Sequence, residues 1–148
     1  MAQITYATLM AGTQNAVYAC LRADATLATL TKNIFSGVPD TSIRGVGLPF
    51  VRVLAPKITE NQNTFLCYMQ ELPVDMEVYT TKESNIWPIV DAIRAALRAN
   101  QIPFRLQNNL LDHELISSGQ SHEILDELEN KPMYFYQMKV RFRWWGRP

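Results

Sequence analysis

The sequence predicts an α+β domain: a largely antiparallel β-sheet with two main α-helices packed on one face. Three observations carry this expectation. Residues 134–145 alternate strictly between an apolar and a basic set, which is the period of a strand. Residues 85–100 repeat apolar side chains at helical spacing. The order along the chain is helix, strands, helix, strands, and 148 residues suit a single domain spanning 1–148.

The elements follow in order. Tyr6, Leu9, Met10, Val17, Cys20 and Leu21 recur at helical spacing, with Gly12 weakening the middle. Asp24 reads as the N-cap of a second short helical turn carrying Leu27 and Leu30. Asn33, Ile34 and Phe35 form a short extended piece, and three glycines and a proline make residues 36–47 a loop. Residues 48–58 read as a strand with Pro49 at its start, where a missing N–H is tolerated. Residues 59–64 are a polar turn.

Residues 65–79 are extended, interrupted at Pro73. Beyond it Val74, Met76 and Val78 share one face, and Asp75, Glu77 and Tyr79 the other, as in a half-buried strand. In the helix of residues 85–100, Ile86, Ile89, Val90, Ile93, Ala96 and Leu97 form one stripe, with Asp91, Arg94 and Arg98 off it. Ser84 is placed to cap this helix, and Pro88 falls in its first turn. Residues 104–118 read as extended, and residues 119–132 as a polar excursion without a defined element. The final strand has Tyr134, Tyr136, Met138, Val140, Phe142 and Trp144 on one face, and Phe135, Gln137, Lys139, Arg141, Arg143 and Trp145 on the other.

Composition removes several classes. Fourteen Lys plus Arg balance fourteen Asp plus Glu, so the basic surplus of a polyanion-binding domain is missing. Near-zero net charge gives little protection against self-association, which points to an oligomer. No apolar run is long enough to span a bilayer, and the polar N-terminal segment does not read as a signal peptide. Cys20 and Cys67 lie far apart without a Cys-x-x-Cys, and read as reduced thiols of a cytosolic product.

The residues offer no catalytic constellation. His113 and His122 are the only histidines, and each is followed by a lone glutamate with no further ligand at metal-site spacing. There is no Gly-x-Ser-x-Gly, no phosphate-binding loop and no dinucleotide fingerprint; Gly45-Val46-Gly47 precedes a strand and is a turn. No catalytic residue, metal site or cofactor is expected.

Charge is segregated instead. Asp112, Glu114, Glu123, Asp126, Glu127 and Glu129 form an acidic stretch with no Lys or Arg among them. Lys131, Lys139, Arg141, Arg143 and Arg147 follow with no acid among them. Such neighbours either pair within one chain or join one subunit's acidic patch to another's basic patch. Trp144 and Trp145 cannot both face the core, so one is exposed beside arginines unless the chain bends or a partner covers it, a composition common in interface anchors. The candidate interface is therefore Lys139, Arg141, Arg143, Trp144 and Trp145, with Glu123, Asp126 and Glu127 as acidic counterparts. The alternative is a small nucleic-acid-binding module that uses the same basic, aromatic strand.

Several segments taken together resemble a known family. They are residues 17–27 (VYACLRADATL), 34–39 (IFSGVP), 48–53 (LPFVRV), 71–80 (ELPVDMEVYT) and 90–97 (VDAIRAAL). Their order is similar to the tail completion (tail terminator, head–tail joining) proteins of long-tailed bacteriophages. The pattern covers residues 16–98, and the rest agrees in element order; Pro73 and the longer, more acidic segment 108–132 depart from it. The resemblance implies a structural virion protein without enzyme activity. It implies a hexameric homo-oligomer that caps the head-proximal end of the tail tube, ends tube growth and joins the tail to the head connector. Its implied partners are the tube protein, the connector or stopper protein, and DNA passing through the lumen without sequence-specific binding. The implied location is the tail or neck of the virion, after synthesis in the host bacterial cytoplasm, with no membrane involved.

Overall fold

The computed structural model describes residues 6–37, 48–56, 69–100, 110–118, 122–126 and 131–145. Residues 38–47 of the expected loop at 36–47, the turn at 59–64, residues 65–68 and 104–109 of the expected extended segments, Cys67 and Glu127 lie outside these residues.

Helix α1 (Tyr6–Ala23) forms because Thr13, Val17, Cys20 and Leu21 recur on one side, and all four are buried. It stops where Asp24 turns extended and caps α2 (Ala25–Leu30), its Oδ1 accepting from the Leu27 amide at 2.8 Å. Strand β1 (Asn33–Ser36) follows, and pairs in parallel with β2 (Phe50–Val53). Strand β3 (Met69–Thr80) lies antiparallel to β2 and to the long C-terminal strand β6 (Lys131–Trp145). Helix α3 (Ile86–Ala99) lies between β3 and the remaining strands, and β4 (Leu110–Ser118) and β5 (His122–Asp126) both pair antiparallel with β6. The sheet order is β1-β2-β3-β6-β4, with β5 on β6 as well. The fold is α+β, and among the described residues only the β1–β2 pair departs from antiparallel.

The main core lies between the sheet and the helices. Val51 and Val53 of β2, Leu72, Val74, Met76 and Val78 of β3, and Tyr136, Met138, Val140 and Phe142 of β6 meet Val17, Leu21, Leu27, Ile89, Ile93 and Leu97 of the helices. Cross-strand register explains this, because Val51 faces Val78, which faces Tyr136, and Val53 faces Met76, which faces Met138. Burying each large aliphatic chain contributes about 1.5–3 kcal/mol. The carbonyl of Val53, at the end of β2, accepts from the Gly37 amide at 2.7 Å and from Gln14 Nε2 at 3.0 Å, which ties α1 to the sheet.

Several expectations are corrected. Strand β3 runs through Pro73 without a break, with Pro73 opposite Arg141. The Asp75 carbonyl accepts from the Leu54 amide at 2.9 Å, so the odd-numbered residues of β3 turn their main-chain groups toward β2. Pro73 therefore lacks its N–H on the side where β2, whose last pair is Val53 with Met76, has already ended. Strand β2 itself is shorter than residues 48–58, and Pro56 cannot donate to continue it. Ser84 is not the cap of α3; a 3-10 turn at Glu83–Asn85 leads in, and Asn85 holds the N-cap position without a side-chain bond. The polar excursion contains a strand, β5. Finally, β3 is not half-buried near its end, since Glu77 and Tyr79 are buried along with Met76 and Val78.

Candidate functional site

The sheet face opposite the helices carries the predicted basic residues, and it is built in two zones. The first is a row of aromatic rings across four strands. Phe35 meets Phe50 edge-on with centroids 6.1 Å apart, Phe50 stacks on Tyr79 at 4.4 Å, and Tyr79 packs against Phe135 at 5.0 Å. Register causes this row, because Phe50, Tyr79 and Phe135 stand directly opposite one another. With Met133 and Leu48 these rings form a second apolar cluster.

The second zone is charged. Arg52 binds Glu77 Oε2 through Nη2 at 2.6 Å and Nε at 2.8 Å, and the Tyr79 hydroxyl donates to the same oxygen at 2.7 Å. Burial, then this hydrogen bond and the Glu77 charge, pushes the Tyr79 hydroxyl well above the usual tyrosine range. Farther along, Lys139 lies opposite Asp75, with Nζ 3.9 Å from Oδ1.

The predicted site residues fall on this frame as follows. Lys139, Arg141 and Arg143 occupy alternate positions of β6. Each has an acidic residue directly opposite in register: Asp75 faces Lys139, Glu114 of β4 faces Arg141, and Glu71 faces Arg143. Trp144 is opposite Gln70 and Leu110, and Trp145 is opposite Met69. Glu123 and Asp126 lie on β5 opposite Tyr134 and Lys131. The acidic stretch is thus brought against the basic strand within one chain, on the strands that flank β6.

Sequence reasoning missed Arg52, Asp75 and Glu77, because their partners are distant in the chain. It also missed Trp87, which is 46% exposed and leans edge-on against Tyr136 at 5.5 Å. Its position off the apolar stripe of α3 was a usable signal. Cys20 is buried, its thiol donating to the Ala96 carbonyl at 3.5 Å. Burial, with the Asp24 charge second, pushes that thiol up to about 11. Among the described residues, no group of three His, Cys, Asp or Glu could hold a metal ion, and no helix is long and apolar enough to cross a membrane.

The charged zone is held by the Arg52–Glu77–Tyr79 cluster and the Lys139–Asp75 pair. A family model, the tail completion protein gp17, matches residues 15–146. The chain belongs to that family. Members are structural proteins of phage tails, and membership places this chain in the virion tail. Among solved structures, a chain from the virion of a native gene transfer agent particle shares the fold with a TM-score of 0.61. It is 21% identical, and the match covers 96% of this chain and 100% of that one. A chain from an Akkermansia muciniphila crystal structure matches at 9% identity with a TM-score of 0.34, covering 100% of this chain and 82% of that one. No curated protein matches the sequence.

Proposed function

We propose that the chain forms a ring, hexameric as in the resemblance drawn from its sequence, on the head-proximal end of the tail tube. The ring ends tube growth, joins the tail to the head connector and surrounds the passage for DNA without reading its sequence. The observation that carries this reading is the family match across residues 15–146. The fold shared with a chain of a phage-like virion particle supports it. The chain acts as a building part, with no reaction and no cofactor of its own. Its partners are further copies of itself, the tube protein and the connector.

The sheet supplies surfaces suited to a head-to-tail contact. One edge of the sheet is the short strand β1, and the other is formed by β4 and β5. The second edge carries Asp112, Glu114, Glu123 and Asp126. A ring needs two different patches on each subunit, and unlike edges meet that need. The interface is assigned to Arg141, Arg143, Trp144 and Trp145 on one side and Glu123, Asp126 and Glu127 on the other, with Lys139 at its margin.

The nucleic-acid reading finds less support. The formal net charge of zero lacks the basic surplus of a polyanion-binding domain. Native mass spectrometry of the purified chain, alone and with tail tubes, tests the ring. Six copies in one particle, in either condition, support it. A chain that stays monomeric alone and adds no ring to tubes contradicts it.

A further inference from the structure

Helix α3 packs on the sheet through Ile86, Ile89, Val90, Ala92, Ile93, Ala96 and Leu97, all buried. Its outer side exposes Trp87, Asp91, Arg94 and Arg98 at spacings of four, three and four residues. At 3.6 residues per turn these positions lie within about 60° of one another, the spacing of a seam between two helices. Trp87 is the one exposed large hydrophobic among the described residues. Among the same residues, Asp91, Arg94 and Arg98 have no ion-pair partner.

The stripe is complementary to itself. Turned antiparallel about the centre of Ile86–Ala99, a second α3 overlaps the first along its whole length. That alignment sets Asp91 against Arg94 of the second copy, and Arg94 against its Asp91. It also sets Trp87 against Arg98 of the second copy at each end, a cation over an indole. The flanking exposed positions, Pro88, Ala95 and Ala99, are small or compact and let the helices approach.

We propose that two free copies of this chain pair through α3 in this antiparallel register, with Asp91–Arg94 pairs at the centre and Trp87–Arg98 contacts at the ends. The contact uses the same patch on both subunits, so it cannot close a six-membered ring and is separate from the proposed ring interface. One helix pair buries less than the ~1,200 Å² of a stable interface, so the dimer is weak.

Sedimentation velocity of the full chain, from low micromolar to millimolar concentration, tests it. Asp91→Arg and Arg94→Asp each set like charges at the centre, and each weakens the dimer by about tenfold. The double exchange D91R/R94D restores the opposite pairs and returns the constant to within about threefold of the original. Trp87→Ser weakens it as well, and circular dichroism confirms that each variant keeps its helices. The pairing is overturned if the unaltered chain shows no dimer at millimolar concentration. It is also overturned if the single reversals leave the dimer unchanged, or if the double exchange is no better than either single one.

Discussion

Lys139 on β6 stands directly across from Asp75 on β3, its ammonium 3.9 Å from an enclosed carboxylate oxygen. Lys139 stands among basic residues in the sequence and has its counter-charge beside it in the sheet, on β3.

The energetic weight of that pair is small. The Lys139 side chain is 43% exposed, so Lys139→Ala lowers stability by under about 1 kcal/mol. Lys139→Glu costs more, because it places two carboxylates across one register position. Urea midpoints of the two variants check the order.

Arg52 and Glu77 behave differently, being deeper. Arg52→Ala leaves a carboxylate that is 6% exposed without its cation, and costs about 3 kcal/mol. Tyr79→Phe removes one donor to the same oxygen and costs about 1 kcal/mol. Denaturant unfolding of both variants should preserve that ranking.

Alkaline pH should reveal Cys20. Its thiol holds its proton more tightly when folded, about 11 against an ordinary 9.0. The folded state therefore binds more protons, and this stability is full below pH 9 and lost as pH rises toward 11. Tyr79, raised by burial, adds a loss of the same sign at higher pH. In a Cys67→Ala background, Cys20 resists a thiol reagent at pH 8 until the chain unfolds, and Cys20→Ala flattens the fall in melting temperature above pH 9.

Two glycines should answer oppositely to alanine. Gly12 lies inside α1 with open space where a Cβ would stand, so Gly12→Ala raises stability by about 0.5–1 kcal/mol. Gly37 has φ +81°, so Gly37→Ala strains the backbone and lowers stability by about 1 kcal/mol. Thermal melts of the two variants should move in opposite directions.

Ring contacts should depend on charge between subunits. Arg141→Glu or Glu127→Arg alone weakens assembly by about tenfold, and the pair together restores it. Native mass spectra across a concentration series report the result.

The sequence made the local periods legible, and the structure follows them. Val140 and Phe142 are buried because strand alternation sends them to the helices, and Ile89 and Ile93 are buried because a helix turns them to the sheet. Asp24 capped its helix because the reach to Leu27 is short. What stayed hidden depended on distant partners. His122–Asp126 lacks a strand's apolar alternation and is extended because β6 offers it an edge. Glu77 and Tyr79 looked solvated because nothing near them in sequence announces Arg52, Phe50 or Phe135. The family resemblance rested on segments between residues 16 and 98, and the family model extends it to residues 15–146.

Tail-tube growth in the presence of the chain is the decisive test of the ring. Tube protein is polymerised with and without this chain, and tubes are measured by electron microscopy. The expected result is shorter tubes bearing a ring at one end only, with growth halted there. Tubes that keep lengthening with the chain present, and carry no added density at either end, would contradict it.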